Sequence, residues 1–290
     1  MKDYLKLIRV KHWLKNGLVF LPLFFSINIL KKELLLTSIL AFFIFCITSS
    51  IVYVINDIED VEKDKKHPIK KNRPLASGRV SLTEAKIIRA ILVIVLGILL
   101  WMISQKVESI GILLIPLIYI GMNILYSKKL KNIPIIDVVI IVLGFLLRVM
   151  YGGIAIEVEV SKYLYLMIIF GSFYLGFGKR RNEIIKNGDK SRTSLSMYNK
   201  EFLDKNMYVA FALAIVSYTL WCVDPSTIEH IGNDYVFWTI PLLMIILQLY
   251  SLNIEGNSYG DPTDVILSDK KLLGFSILYL IVMVGIIYII

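Results

Sequence analysis

A stretch of oxygen-bearing side chains directly follows a long apolar run, in "NDIEDVEKD". Asn56, Asp60 and Asp64 follow one another at intervals of four residues, and Asp57 precedes Asp60 by one turn. On a helix this spacing places the first three on one face. Mg²⁺ takes oxygen ligands, commonly one or two carboxylates completed by substrate phosphates. The sequence therefore predicts a catalytic Mg²⁺ site, with most weight on Asp60 and Asp64, formed by Asn56, Asp57, Asp60 and Asp64.

A solvated acidic helix end, interleaved with lysines, is the alternative interpretation of this stretch. The next segment, "HPIKKNRPLASG", favours the metal site. It carries Lys70, Lys71 and Arg73 between two prolines, which stop the helix and hold the chain extended. Cations beside a carboxylate-bound metal suit a diphosphate, whose charge exceeds what one metal ion neutralises. A basic loop that only sets membrane orientation would explain the charge but not the prolines.

Two charged residues occur in or beside a later apolar run, in "IPIIDVVIIVLGFLLRVMYGG". Asp137 and Arg148 are eleven residues apart, about three helical turns, and are therefore expected on one face. A charged side chain near the centre of a membrane helix costs about 2.5–3.5 kcal/mol on insertion scales. Arg148 is therefore predicted either to contact an anion in a polar cavity or to pair with a carboxylate that locks the helices.

The elements that carry these residues are predicted to be membrane helices. Hydrophobic residues make up 57% of the 290 residues and charged residues 19%, far from the composition of a soluble domain. About 20 apolar residues cross the hydrocarbon core as a helix. We predict an all-α, polytopic membrane protein with a single transmembrane domain over 1–290 and an interfacial segment at 1–15. Nine spans are expected, at about 14–30, 33–56, 82–104, 109–127, 134–156, 161–178, 202–222, 235–253 and 271–290.

The net charge of +9 is explained by topology, not by nucleic acid, which we exclude as a partner. With a cytoplasmic N-terminus, most Lys and Arg residues fall on the cytoplasmic side, as the positive-inside rule requires. Lys31, Lys32, Lys106 and Lys162 fall opposite. We expect a multi-pass protein of the cell membrane with its active site on the cytoplasmic side. Cys46 and Cys222 both lie in predicted spans, so neither a disulfide framework nor a Cys-based metal site is expected.

The Asn56–Asp64 stretch resembles the NDxxDxxxD motif of the UbiA superfamily of intramembrane prenyltransferases. This resemblance implies nine transmembrane helices around a central cavity, Asp-rich cytoplasmic loops and dependence on Mg²⁺. A longer pattern resembles the branch of decaprenyl-phosphate phosphoribosyltransferases over nearly the whole chain. That pattern is carried by "RVKHWLKNGLVFLPLF", "YVINDIEDVEKDKKHPIKKNRPLASG", "LKNIPIIDVVIIVLGFLLRVMYGG", "GSFYLGFGKRRNE" and "GDPTDVILSD".

One departure from the superfamily pattern bears on the substrate. Typical aromatic prenyltransferases carry a second Asp-rich motif after the sixth span, whereas this chain has "GKRRNE" there. Cations at that position suit direct contact with phosphate better than a second metal ion. The branch resemblance implies transfer of a phosphoribosyl group from 5-phosphoribosyl 1-diphosphate to a polyprenyl phosphate. Alternatives are prenyl transfer from a prenyl diphosphate to an aromatic or other small acceptor, and a transporter or lipid-binding protein without chemistry.

The resemblance also suggests which side chains bind the substrates. Asp137 is expected to orient Arg148 or a ribose hydroxyl, and Tyr126 to lie at the pocket rim. Arg148, Lys179 and Arg180 are expected to hold the lipid phosphate or complete the donor pocket. The oligomeric state stays open, a homo-oligomer included. The candidates for the diphosphate or the ribose phosphate are Lys15, Lys70, Arg73, Lys128 and Lys131.

Overall fold

The computed structural model describes residues 2–67, 70–187, 193–256, 265–266 and 268–289. Over these ranges the secondary structure is entirely helical. The chain divides into two compact units. The first comprises Met1–Lys128 and Leu147–Glu159, and the second comprises Lys129–Leu146 and Val160–Ile290. The division passes through one helix, Ile136–Ala155, which supplies residues to both units.

The first unit is built around a 28-residue helix that ends at the acidic motif. That helix, α3 (Lys32–Glu59), packs against α5 (Leu82–Ser104) and α6 (Gly111–Lys128). A serine–glutamate capping box at Ser81 and Glu84 starts α5. Two 3₁₀ helices, Val10–Phe20 and Lys70–Asn72, flank the α-helices. The α-helices are α1 (Lys2–Leu7), α2 (Leu21–Phe25), α3 (Lys32–Glu59), α4 (Val61–Lys66), α5 (Leu82–Ser104) and α6 (Gly111–Lys128).

The second unit contains two long helices, α8 (Lys162–Asn187) and α10 (Lys200–Val223), which pack against each other. Side chains of Asn199, Asp224 and Asp269 accept backbone hydrogen bonds at the starts of α10, α11 and α13, as N-caps do. Two 3₁₀ helices, Leu130–Asn132 and Tyr235–Thr239, also belong to it. The α-helices are α7 (Ile136–Ala155, shared with the first unit), α8 (Lys162–Asn187), α9 (Thr193–Ser196), α10 (Lys200–Val223), α11 (Pro225–Ile231), α12 (Ile240–Glu255) and α13 (Lys270–Tyr288).

Seven segments in the described part of the chain are long and apolar enough to cross a membrane. They correspond to seven of the nine predicted spans, and they make the chain an integral membrane protein. Predicted span 161–178 lies in α8, which runs on into the charged residues Lys179, Arg180 and Arg181. Predicted span 14–30 is broken into a 3₁₀ helix and the short α2.

The 3₁₀ helix Val10–Phe20 packs closely against α7. An added Cβ at Gly152 would lie 2.1 Å from the backbone carbonyl oxygen of Val19, a distance that no side chain tolerates. Glycine at this position therefore lets the two backbones approach. The 3₁₀ helix follows Arg9, whose φ of 54° places it in the left-handed region. This residue turns the chain between α1 and the 3₁₀ helix.

Candidate active site

Two buried carboxylates of the acidic motif share an arginine. Arg73 Nη1 donates to Asp57 Oδ1 at 3.0 Å and to Asp64 Oδ2 at 2.6 Å. Arg9 Nη2 donates to Asp57 Oδ1 at 2.7 Å and lies over the ring of Tyr53, 4.5 Å from its centroid. Each aspartate is 3% exposed. Buried carboxylates need such partners, because an unpaired buried charge is costly.

The other two residues of the motif have different surroundings. Asp60 lies between α3 and α4, at φ −95° and ψ 7°, and its Oδ1 is 3.8 Å from the exposed Lys63 Nζ. Asn56 Oδ1 accepts a hydrogen bond from Ser127 Oγ at 2.6 Å. The carboxylates that meet at one cation are thus Asp57 and Asp64, two helical turns apart. The prediction that all four residues bind a metal stays a prediction.

The chemistry of this pair fits Mg²⁺ in the presence of a phosphate ligand. Within the described ranges, no three His, Cys, Asp or Glu side chains are grouped so that they could hold a metal ion by themselves. Two carboxylates supply oxygen ligands, and phosphate oxygens and waters complete most Mg²⁺ shells of this kind. Asp57 and Asp64 provide such a pair, with Arg73 beside it.

The basic segment after α4 approaches the same carboxylates. Lys70 Nζ lies 4.0 Å from Asp64 Oδ1, and its backbone N–H donates to His67 Nδ1 at 3.3 Å. Burial and the neighbouring Lys70 lower the pKa of His67, which favours the neutral imidazole that this hydrogen bond needs. Pro68, which belongs to the predicted extended segment, lies outside the described residues.

Arg9 was not among the predicted site residues. Its position follows from polar side chains on one face of α3, which hold the N-terminal segment. Ser50 Oγ donates to the carbonyl oxygen of Ile8 at 2.8 Å and accepts from Trp13 Nε1 at 3.0 Å. The spacing of Ser50, Tyr53 and Asp57 along α3 was a usable signal, because an isolated stripe of polar residues in a membrane helix indicates a polar partner.

Arg148 lies in a buried polar cluster of the first unit. Its Nε donates to Asn16 Oδ1 at 2.7 Å and its Nη2 to Tyr119 OH at 3.0 Å. The guanidinium also lies over the rings of Tyr119 and Phe45, at 4.9 and 5.5 Å from their centroids. Asn16 in turn donates to side chains of α3. These contacts join α7 to the 3₁₀ helix Val10–Phe20, to α3 and to α6.

Asp137 accepts hydrogen bonds in a separate buried cluster of the second unit. Its carboxylate accepts from Arg180 Nε at 2.6 Å and from Tyr198 OH at 2.8 Å. In the structure Asp137 therefore holds Arg180 and not Arg148, whereas the alternative, that it orients a ribose hydroxyl, stays a prediction. Eleven residues also separate the two by about 16 Å along the helix axis. Arg180 is 1% exposed, and its Nη1 donates to Glu183 Oε2 at 2.8 Å.

This second cluster fixes the loop before α7. Ser194 Oγ donates to the carbonyl oxygen of Lys131 at 2.9 Å, which ties the loop to α9. The remaining predicted substrate-binding residues fall in both units. Lys128, at the end of α6, is exposed, and the partly buried ones are Lys15, Tyr126, Lys131 and Lys179. Of the motif "GDPTDVILSD", the residues 260–264 and 267 lie outside the described part of the chain.

Known proteins are similar to this chain over most of its length. Residues 19–288 match the model of the UbiA prenyltransferase family. A decaprenyl-phosphate phosphoribosyltransferase from Corynebacterium glutamicum is 32% identical over 98% of this chain and 86% of its own length. One from Mycobacterium tuberculosis is 28% identical over 92% of this chain and 88% of its own length. These matches confirm the resemblances predicted from the motifs.

Solved structures show the same fold. A UbiA homolog from Archaeoglobus fulgidus bound to DMAPP and Mg²⁺ superimposes with a TM-score of 0.68 at 18% identity, covering 99% of this chain and 100% of the other. A digeranylgeranylglyceryl phosphate synthase superimposes with a TM-score of 0.63 at 26% identity, covering 99% and 98%. Because the family model matches residues 19–288, nearly the whole chain, the chain belongs to the UbiA prenyltransferase family.

Proposed function

We propose that this protein transfers a 5-phosphoribosyl group from 5-phosphoribosyl 1-diphosphate to a polyprenyl phosphate, in a reaction that depends on Mg²⁺. The bond between the anomeric carbon and the diphosphate oxygen breaks, a bond to a lipid phosphate oxygen forms, and diphosphate leaves. The main support is the similarity, over 98% of the chain, to a protein named decaprenyl-phosphate phosphoribosyltransferase. The paired carboxylates beside Arg73 and Lys70 agree with a diphosphate donor.

Asp57 and Asp64 are the residues that we propose to hold the metal ion, with Asn56 and Asp60 next to them. Bound Mg²⁺ supplies positive charge that stabilises the departing diphosphate. Arg73 and Lys70 then bind the diphosphate oxygens directly, since both already lie within 4.0 Å of Asp64. Arg9 keeps the charge of Asp57 balanced and holds its carboxylate in place. Lys131 and Lys179 remain candidates for phosphate contacts in the second unit.

The acceptor needs little activation in this proposal. A phosphate monoester has its second pKa near 6 and is mostly dianionic at pH 7, so no general base is required. The protein has to hold two anions close together, orient them and exclude water. The cationic side chains around the acidic motif suit the first task. A polyprenyl acceptor also suits a chain whose helices span the membrane.

We further propose that the protein lies in the cell membrane and that its active site faces the cytoplasm. The support is the distribution of cations along the sequence, which follows the positive-inside rule for a cytoplasmic N-terminus. A phosphorylated sugar diphosphate is a water-soluble donor, so the acidic motif has to open to an aqueous compartment. The α3–α4 junction lies where an apolar helix gives way to a charged segment, which agrees with such an opening.

A second function is favoured by another relative. A digeranylgeranylglyceryl phosphate synthase from Methanocaldococcus jannaschii is 31% identical over 87% of this chain, and the Archaeoglobus fulgidus homolog was solved with a prenyl diphosphate. Prenyl transfer from a prenyl diphosphate to a small acceptor is therefore the alternative. The basic "KRR" sequence in α8 weighs against it, because the second acidic motif is missing there.

The decisive experiment compares two substrate pairs with purified protein and Mg²⁺. One reaction contains 5-phosphoribosyl 1-diphosphate and decaprenyl phosphate, and the other contains a prenyl diphosphate and 4-hydroxybenzoate. Mass spectrometry of the lipid extract is expected to show a decaprenyl phosphoribosyl phosphate in the first reaction only. Product in the second reaction alone would establish the prenyl transferase. Absence of product from both, with folded protein, would favour a non-catalytic transporter.

A further inference from the structure

The N-terminal helix α1 and the first three turns of α5 enclose an apolar groove in the first unit. One wall is formed by Tyr4, Leu5 and Ile8, and the other by Ile87, Ile88 and Ile91. The volume of the groove is about 380 Å³, which falls within the range of small-molecule sites. Its lining is almost entirely apolar. The groove therefore suits a hydrocarbon chain better than a polar ligand.

The groove opens sideways on the lipid-facing side of α5. Ile87 and Ile91 are 54% and 53% exposed, and Leu5 on the opposite wall is 49% exposed. The same exposed stripe continues along the helix through Ile94 and Ile98, which are 64% and 53% exposed. Since α5 is a membrane-spanning segment, a chain lying in the groove can extend along the helix into the bilayer.

Tyr4 closes one end of the groove with polar groups. Its OH donates to Glu84 Oε1 at 2.6 Å, and Glu84 Oε2 also accepts from the backbone of Ser81. Arg79 Nε donates to Asp3 Oδ1 at 3.0 Å, a second tie between α1 and the segment before α5. These bonds hold the two walls together, so the groove is a built feature of the fold and not a gap beside a loose helix.

Cations outnumber acids in the sequence around Tyr4 and Glu84. Lys2 and Lys6 on α1 and Lys86 on α5 are exposed, and Arg79 is half-exposed. The two acids, Asp3 and Glu84, are each engaged by side chains of the protein. Exposed Lys and Arg near a membrane surface attract anionic lipid, by about 1 kcal/mol each. An apolar groove with a cationic end is complementary to a lipid with an apolar chain and a negative headgroup.

We propose that this groove binds one acyl chain of an anionic phospholipid, with its headgroup at Lys2, Lys6 and Arg79. The site is distinct from the acidic motif and takes no part in the transfer reaction. A lipid in the groove also affects the position of a residue at the acidic motif, because α1 forms one wall of the groove. Ile8 lines the groove, and the next residue, Arg9, donates to Asp57. A bound lipid thus holds in place the segment that carries Arg9.

The test is a lipid titration of the purified full-length protein in detergent, with bound lipid counted by native mass spectrometry. Phosphatidylglycerol and phosphatidylcholine with identical acyl chains are compared. We expect phosphatidylglycerol to bind at least about 30-fold more tightly, at about 1 kcal/mol for each cation that contacts its headgroup. Replacing Lys2 and Lys6 together by Gln is expected to weaken its binding by about 30-fold, from the value of about 1 kcal/mol per cation.

Two tryptophan variants separate the groove from the general lipid-facing surface. Ile91→Trp fills the groove, whereas Ile98→Trp lies two turns further along the same stripe with the same 53% exposure. We expect Ile91→Trp to lose the tight phosphatidylglycerol and Ile98→Trp to keep it. Leu5→Trp fills the groove from the opposite wall. It replaces Ile91→Trp in the comparison if the thermal midpoint of Ile91→Trp shows that this variant is misfolded.

Three results would overturn the proposal. Equal binding of phosphatidylcholine and phosphatidylglycerol would show that the groove contacts bilayer lipids without selecting an anionic headgroup. Equal loss in Ile91→Trp and Ile98→Trp would place the lipid elsewhere on α5. Displacement of phosphatidylglycerol by an equimolar amount of decaprenyl phosphate would make an isoprenoid the occupant. None of these readouts depends on catalysis, so they are independent of the proposed transfer activity.

Discussion

At the scale of single residues, the aspartates of the acidic motif differ in burial and in their partners. Asp57 and Asp64 are buried and share Arg73, whereas Asp60 is partly exposed at the junction of α3 and α4. Arg73 and Arg9 together balance the charges of the two carboxylates without substrate. With Mg²⁺ and a diphosphate bound, the two carboxylates would hold the metal ion and Arg73 would contact the diphosphate.

The first prediction concerns Asp64. Asp64→Asn keeps the shape of the side chain but removes the charge that a metal ligand needs, so we expect the transfer rate to fall at least about 100-fold, as for loss of one electrostatic group in an active site. Glu62→Gln is the matched control, since Glu62 is on the same helix but exposed and paired with Lys65. Radiolabelled phosphoribosyl transfer measures both. Similar rates for the two variants would remove Asp64 from the metal site.

The second prediction separates two roles of Arg73. Arg73→Gln removes a cation that lies 2.6 Å from one carboxylate and 3.0 Å from the other. We expect tighter binding of Mn²⁺ in the absence of substrate, because the carboxylates lose a competing positive charge. We also expect slower transfer, because the diphosphate loses a contact.

Lys65→Gln is the control for this variant, as Lys65 is an exposed cation of α4 that contacts Glu62 instead. Electron paramagnetic resonance of Mn²⁺ gives the metal affinity, and the transfer assay gives the rate. Weaker Mn²⁺ binding in Arg73→Gln would show that the arginine organises the carboxylates for the metal, contrary to this prediction.

At the scale of elements, the N-terminal 3₁₀ helix depends on α7. Arg148 donates to Asn16 in that helix, and Gly152 lies against the carbonyl oxygen of Val19. A 3₁₀ run of eleven residues is long for this kind of helix, so tertiary contacts have to stabilise it. The same segment begins at Arg9, which contacts Asp57. Packing on α7 therefore contributes to the position of a side chain at the acidic motif.

The third prediction tests that packing. Gly152→Ala places a Cβ 2.1 Å from a backbone carbonyl oxygen, so the two elements have to separate, at a cost of about 1–3 kcal/mol. Gly97→Ala in α5 is the control, because an added Cβ there meets nothing within 4 Å. We expect a lower midpoint of thermal unfolding in detergent for Gly152→Ala only. Equal midpoints would contradict the close approach.

At the scale of the whole molecule, the chain is an integral membrane protein whose charges predict a cytoplasmic N-terminus. This orientation places the loop after α4 and the loop between α5 and α6 on opposite sides of the membrane. Both loops contain an exposed serine, Ser77 in the first and Ser109 in the second. The native cysteines, Cys46 and Cys222, are buried at 0% and 1% exposure, so they contribute little labelling.

The fourth prediction uses these serines. Ser77→Cys and Ser109→Cys are treated in intact cells with a maleimide that does not cross membranes. We expect Ser109→Cys to be labelled and Ser77→Cys to be labelled only after the cells are opened. The reverse pattern would place the N-terminus and the acidic motif outside the cytoplasm. Both variants leave the acidic motif unchanged, so the transfer assay reports whether they are folded.

The sequence alone determined seven membrane helices, the acidic motif and the family. These features are local, since each depends on residues that are close in the sequence. They are the length of an apolar run, the spacing of carboxylates and the position of basic loops. The same local logic led to one error at Asp137. Its spacing from Arg148 on one helix suggested that the two side chains interact, but the carboxylate binds Arg180, which is 43 residues away.

Only the tertiary structure decided which side chains meet. Arg9 and Asp57 are 48 residues apart, and Arg148 and Asn16 are 132 residues apart. Such pairs form because a charge buried among membrane helices is costly without a partner, and the partner comes from whichever element packs alongside. Periodicity along one helix carries no information about that neighbour. The physical need for a partner could therefore be predicted from the sequence, whereas the identity of the partner required the fold.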